Sequence, residues 1–99
     1  MYEVVLNKFS QKEYDKLDGS QKAFVNKGLK RIKERGMDAG QPLKGQLNHG
    51  RKLKNNRLGL RIVFTEVKGN IEVIEVIAIG KRSDKEVYKD AINRLKDGQ

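Results

Sequence analysis

Apolar residues alternate with cations along the middle of the chain. Lys52 and Lys54 lie on either side of Leu53, and Arg61 lies between two apolar neighbours. Because successive side chains of a β-strand point to opposite faces, this alternation predicts strands with one apolar face and one cationic face. Turns rich in Asn and Gly bound the strands, as in antiparallel hairpins. The predicted strands cover residues 51–54, 60–66 and 71–79.

The last of these strands is apolar on both faces, which predicts a central place in the sheet. Strict alternation assigns one face to Ile71, Val73, Ile77 and Ile79, and the other face to Ile74, Val76 and Ala78. Gly80 follows the strand. We expect the chain to turn sharply at Gly80, because glycine tolerates backbone angles that other residues avoid.

Helical patterns flank the strands on both sides. A short strand at residues 2–6 and a short helix at residues 12–17 come first, and Ser20 is the expected N-cap of a second helix that ends before Gly36. Ser83 or Asp84 is the expected cap of a C-terminal helix. Together these elements predict an α+β fold: a small antiparallel β-sheet of about four strands, an N-terminal helical hairpin and a C-terminal helix.

Composition predicts one domain over residues 1–99, large enough for a single modest core. No apolar run approaches the ~20 residues that a membrane span needs, and the N-terminus does not resemble a signal peptide. The absence of cysteine excludes disulfides and thiolate metal sites. A cytoplasmic location is therefore the prediction.

The net charge of +9 is concentrated in one segment. Residues 41–61 contain six cations and no acid, whereas residues 62–99 contain seven charges of each sign. A solvated surface usually interleaves both signs, so this segregation favours a polyanionic partner such as a nucleic acid, with an acidic protein as the alternative.

Candidate catalytic chemistry is limited by what the sequence lacks. It has one histidine, His49, and it has no phosphate-binding G-x-x-x-x-G-K-[ST] loop and no acidic cluster for magnesium. An active site would therefore consist of Lys, Arg and Tyr side chains. Such a site suits a phosphodiester, whose transition state gathers negative charge.

Four ordered motifs carry a family resemblance. They are K-x-K at residues 52–54, G-x-R-[ILV]-x-[FY] at 59–64, [IV]-G-[KH]-R at 79–82 and V-Y at 87–88. This set resembles the RelE/ParE toxin superfamily on its RelE side, most strongly over residues 43–95. Where the family often has an arginine in the preceding loop, this chain has Lys44, which keeps the charge without the guanidinium fork.

The resemblance implies a RelE-like toxin of a type II toxin–antitoxin pair. Toxins of this type are ribosome-dependent mRNA endonucleases that use no metal and no small-molecule cofactor. The implied reaction takes place in the ribosomal A site, where the nucleotide's own 2′-OH attacks the adjacent phosphate and leaves a 2′,3′-cyclic phosphate and a 5′-hydroxyl. The implied partners are a cognate antitoxin, the ribosome and mRNA, and no membrane is implied.

Site residues follow from the same motifs. Arg61 and Arg82 would bind the scissile phosphate, since guanidinium forks match phosphate oxygens. Tyr88 would orient the nucleotide or accept the 2′-OH proton, Lys54 is the other candidate base, and Lys52 would help electrostatically. The RNA-binding residues are predicted to be Lys44, Arg51, Arg57 and Lys81. For this site to form, Lys54 and Arg61 must share a face of the sheet.

Two other functions stay open on the sequence alone. One is a ParE-like toxin that inhibits DNA gyrase by binding and does not cut RNA, although Tyr88 and the Lys52–Lys54 pair argue against that branch. The other is a non-catalytic basic module or inactive toxin remnant.

Overall fold

The computed structural model describes residues 1–81 and 86–97. Its centre is a five-stranded sheet in the order β1-β5-β4-β3-β2, with helices on both faces. The strands are β1 (Glu3–Leu6), β2 (Gln41–Pro42), β3 (Arg51–Asn55), β4 (Leu60–Val67) and β5 (Asn70–Lys81). The helices are α1 (Lys8–Asp15), α2 (Gly19–Arg35) and α3 (Glu86–Asp97).

The predicted α+β class is confirmed, but the sheet is mixed rather than antiparallel. β1 runs parallel to β5, with Val4 opposite Ile74, while the other pairings are antiparallel. Val4 and Leu6 pack against the core from this outer strand, which explains why so short a segment joins the sheet. The second addition is β2, a two-residue strand paired with β3. The prediction of about four strands was therefore one strand short.

The N-terminal helices differ in detail from the predicted hairpin. α1 begins at Lys8 because Asn7 caps it, its side chain accepting hydrogen bonds from the next turn's N–H groups. Asp18, rather than Ser20, caps α2 by accepting a hydrogen bond from the N–H of Gln21 at 2.9 Å. That bond holds the pKa of Asp18 below its usual value.

Within the described residues, no helix is long and apolar enough to cross a membrane.

Each face of the sheet has its own apolar cluster. α2 packs on one face, where its buried Val25 and Ile32 meet Leu53, Ile62 and other residues of the central strands. We call this the α2 face. α3 packs on the opposite face, the α3 face, where its buried residues are Val87 and Ala91. The predicted C-terminal helix is thus confirmed. Its predicted caps, Ser83 and Asp84, lie outside the described residues.

A β-bulge in β5 changes which face its side chains reach. Phe64 of β4 lies opposite Val76 and the residue before it lies opposite Ala78, so Ile77 is an extra residue in the pairing. Ile77 and Ala78 consequently both belong to the α3 face, whereas Val76 and Ile79 belong to the α2 face. The predicted strict alternation was wrong here, because one extra residue inverts the side-chain order beyond it.

Substitution of Gly40 tests how tightly the chain packs against the Phe64 ring and the β3 backbone. A Cβ added at Gly40 would lie 2.6 Å from Cζ of the buried Phe64 ring and 2.9 Å from the carbonyl oxygen of Lys52. The Gly40 φ of −117° suits any residue, so the obstacle is steric. We expect Gly40→Ala to lower the free energy of unfolding by about 1–3 kcal/mol, measured by chemical denaturation.

Gly19 is the matched control, since an added Cβ there meets no atom within 4 Å. Gly19 occupies the first position of α2, where alanine favours the helix. Gly19→Ala should therefore leave the free energy of unfolding unchanged or slightly raised. Equal losses from the two substitutions would rule out overpacking at Gly40 as the cause.

Candidate functional site

The β3–β4 hairpin places three cations on the α3 face. Lys54 lies directly opposite Arg61, and Lys52 lies opposite Val63, whose side chain belongs to the α3 cluster. Directly opposed residues of an antiparallel pair point to the same side of the sheet. The prediction that Lys54 and Arg61 share a face is therefore confirmed. We use the name cationic site for Lys52, Lys54 and Arg61.

Arg61 is buried, although the sequence pattern predicts a cation displayed on an open face. The residue as a whole is 4% exposed. Nη1 donates to the carbonyl oxygen of Leu60 at 3.0 Å, and Nη2 donates to Oδ1 of Asn56 at 3.3 Å. Nε has no hydrogen-bond partner among the described residues. Within this part of the chain, one guanidinium donor is thus unused, and the two hydrogen bonds that Arg61 does make are accepted by neutral oxygens.

Gly80 of β5 lies on the other side of Arg61, directly opposite it in the β4–β5 pairing. A Cβ added at Gly80 would lie 3.2 Å from Cβ of Val87, so glycine lets α3 approach the sheet closely beside Arg61. The predicted sharp turn at Gly80 was wrong: β5 continues to Lys81, and Gly80 is not among the residues with positive φ. Its role is close packing instead.

Tyr88 joins the cationic site from α3. Its ring is half-buried against the α3 cluster, and the Lys52 Nζ lies 5.9 Å from the ring centroid, within the range of a cation–π contact. Lys54 is exposed to solvent on the same face. The structure therefore brings Lys52 close to Tyr88 and Lys54 close to Arg61, so that four of the predicted catalytic residues surround one part of the face.

The predicted RNA-binding residues do not all lie on this face. Arg51 lies opposite Phe64, and Lys81 lies opposite Leu60, so register places both on the α2 face. Lys44 and Arg57 are exposed, in the loop before β3 and in the β3–β4 turn. Arg82, the fifth predicted catalytic residue, lies outside the described residues.

The described part of the chain does not balance the charge of the cationic site. Within residues 1–81 and 87–96, no carboxylate lies within ion-pairing distance of its three cations. The same part of the chain contains no group of three or more His, Cys, Asp or Glu side chains that could hold a metal ion. Chemically, the site can bind an anion with several oxygens and offer it ammonium and guanidinium donors beside a phenol.

Two further features were not predicted from sequence. Asn56 accepts a hydrogen bond from the Arg61 guanidinium. In the sequence it is marked only as a polar residue in the turn between β3 and β4. Arg94 of α3 forms a two-point ion pair with Glu13 of α1, with Nη1–Oε1 and Nη2–Oε2 distances of 2.9 Å. This hydrogen bonding raises the pKa of Arg94 above its usual value. The partners are 81 residues apart, and no pattern in the sequence links them.

Comparisons with known proteins find matches among solved structures. Neither a protein-family model nor a curated protein sequence matches the chain. A variant of the E. coli toxin RelE in which two arginines are replaced by alanine, in its free state, matches with a TM-score of 0.79 and 27% identity. The match covers 95% of this chain and 97% of that chain.

Two other E. coli structures match over similar lengths. The isolated RelE toxin gives a TM-score of 0.72 at 27% identity, with 96% of this chain and 99% of that chain covered. RelE in the intact RelBE toxin–antitoxin complex gives 0.69 at 26% identity, with 82% and 96% covered. With the motifs and the shared face of Lys54 and Arg61, these matches identify the chain as a RelE-like member of the RelE/ParE toxin superfamily.

Proposed function

We propose that residues 1–99 act as a single toxin domain of a type II toxin–antitoxin pair, and that this toxin is a ribosome-dependent mRNA endonuclease. It would cleave mRNA in the ribosomal A site and so inhibit translation in the cytoplasm. The similarity to E. coli RelE supports the toxin class. The reaction itself is proposed from the residues of the cationic site.

The burial of Arg61 is the observation that carries this proposal. A buried guanidinium is costly when it has lost water and gained no opposite charge, and no carboxylate among the described residues pairs with Arg61. Lys54 lies directly opposite, and like charges in that position destabilise a strand pair. Both costs fall when a phosphate binds between the two residues. The arrangement therefore favours an anionic substrate over a purely structural role.

The chain's own residues can supply each part of the cleavage. Arg61 and Lys54 would bind the scissile phosphate and stabilise the charge that gathers on its oxygens in the transition state. Tyr88 or Lys54 would accept the 2′-OH proton, and both remain candidates for the base. The 2′-oxygen then bonds to phosphorus as the bond to the 5′-oxygen breaks, which leaves the cyclic phosphate and, after protonation, the 5′-hydroxyl.

The assay for this function uses purified protein, ribosomes and a translated mRNA, with cleavage mapped by primer extension. We expect cuts within codons in the A site and 5′-hydroxyl ends on the downstream fragments. Intact mRNA in the presence of active ribosomes would contradict the proposal. Inhibition of DNA gyrase by the same preparation would then favour the ParE-like alternative.

Arg61→Met separates catalysis from stability in the same assay. Methionine fills similar space without the charge, so the cleavage rate should fall about 10²–10³-fold. The free energy of unfolding should stay equal or rise, because an uncompensated buried charge is removed. Lys68→Ala, a loss of one exposed charge in the β4–β5 turn, should change neither quantity. An active but destabilised Arg61→Met protein would make Arg61 a structural residue.

Arg82 carries the second phosphate contact in this proposal, on the strength of the family motif. Arg82→Ala should abolish toxicity on expression, with a cleavage rate about 10²–10³-fold lower. Arg82→Lys should recover only part of the rate, because lysine keeps the charge but loses the two-point contact. Circular dichroism should report a folded protein in both cases. Full cleavage by folded Arg82→Ala would place the site elsewhere.

We also propose a cognate antitoxin as partner, supported by the similarity to RelE in the E. coli RelBE complex. A segment with acidic and apolar residues would cover the sheet or displace α3, which carries Tyr88. Its affinity, measured by calorimetry, should decrease as salt rises, since the cationic site supplies part of the attraction. Tight binding that is indifferent to ionic strength would indicate a mainly apolar contact.

A further inference from the structure

α1, α3 and β5 meet at one ion pair, which we call the clasp: Glu13 of α1 and Arg94 of α3. Arg94 Nη1 donates to Glu13 Oε1 and also to the carbonyl oxygen of Ile77, both at 2.9 Å. Glu13 Oε1 accepts a further hydrogen bond from the N–H of Ile79 at 3.0 Å. The Glu13 and Arg94 side chains are 25% and 17% exposed. The pair is therefore largely shielded from water and bonded to backbone as well as to itself.

The clasp occupies a strand edge that β1 leaves open. The last residue of β1, Leu6, lies opposite Val76, and β5 continues for five more residues to Lys81. Ile77 and Ile79 would have unpaired backbone groups on that edge, and such groups are costly when they are buried without a partner. Glu13 and Arg94 satisfy one of these groups each. Side chains thus take the place of a missing strand.

The clasp also fixes α3 more closely than its apolar contacts can. The buried residues of α3, Val87 and Ala91, make apolar contacts, and such contacts are non-directional, so they favour no single orientation of the helix by themselves. A two-point Arg–carboxylate pair allows one relative orientation. Tyr88 lies six residues before Arg94, roughly 9 Å along the helix axis at 1.5 Å per residue. A tilt or slide at Arg94 is therefore transmitted to Tyr88.

We propose that Glu13 and Arg94 are positioning residues for RNA cleavage, acting through α3 to keep the Tyr88 ring beside Lys52. This inference rests on the proposed endonuclease function. Neither residue touches the cationic site: Arg94 contacts Glu13, the β5 edge, the Phe9 ring at 5.0 Å and, at 3.7 Å, Asp90. Their effect on the reaction is consequently indirect, through the placement of the phenol.

Arg94→Lys and Glu13→Gln test the clasp with little change in volume. Lysine cannot make the two-point contact, and glutamine places an amide donor against a guanidinium donor. We expect kcat for ribosome-dependent cleavage to fall about 10–100-fold with KM for programmed ribosomes unchanged, as for a misplaced catalytic group. In the RNA-free protein, the nuclear Overhauser contact between the Tyr88 ring and the Lys52 side chain should weaken in both variants.

Asp90→Asn is the matched control, because it removes the weaker contact to Arg94 and leaves the clasp in place. Its kcat and its Tyr88–Lys52 contact should equal those of the wild type. The double variant Glu13→Arg/Arg94→Glu keeps an ion pair but places a donor at position 13, against the Ile79 N–H, and an acceptor at position 94, against the Ile77 carbonyl. It should stay as slow as the single variants. A double variant with wild-type kcat would overturn the role of the β5 edge.

The remaining outcomes are distinguishable from a failure of the proposed function. If Arg94→Lys and Glu13→Gln melt at lower temperature but keep both kcat and the Tyr88–Lys52 contact, the clasp is structural only and the inference is overturned. If the wild type cleaves no RNA, the endonuclease proposal fails by itself. The nuclear Overhauser contact between Tyr88 and Lys52 still tests the clasp in that case. Its loss in the variants would support positioning of Tyr88 by the clasp, and its retention would exclude that role.

Discussion

Helices on both faces of β4 impose the constraint on which the rest of the structure depends. α2 lies on one side and α3 on the other, so residues 60–64 are all buried. Four of these residues are apolar and the fifth is Arg61. Alternation sends Arg61 to the α3 face, where a long cation fits only if its neighbours leave room. Gly80, its partner on β5, has no side chain, and Lys54, its partner on β3, extends into solvent.

The shared face of Lys54 and Arg61 could be predicted because few registers satisfy the apolar pattern. Leu53 and Ile62 must both face the core, and they lie opposite each other in the structure. Every register that meets this condition also puts Lys54 and Arg61 on the opposite face. The α+β class and the two long strands follow from similarly local patterns, namely β-branched runs bounded by Asn/Gly turns.

Other features depend on tertiary contacts that no local pattern contains. The bulge at Ile77 inverts the side-chain order of β5, and no glycine or other turn residue marks it in the sequence. β1 pairs in parallel with β5, although about seventy residues of chain separate the paired positions. The burial of Arg61 requires α3 to pack beside it, and the clasp joins Glu13 to Arg94 across 81 residues. Sequence periodicity reports the faces of single elements, whereas these contacts arise only when elements meet.

α3 contacts two regions that differ in charge. Around Arg94 the charges are paired, whereas around Tyr88 the described cations have no acidic partner, and this division suits a small domain. At Arg94 the helix is held by an ion pair whose partners also satisfy backbone groups, so the charges there add to stability. At Tyr88 the helix lies beside cations that repel one another, which detracts from stability. A domain of 99 residues has little stability to spare. Holding α3 through Arg94 therefore helps to offset the repulsion among the described cations near Tyr88.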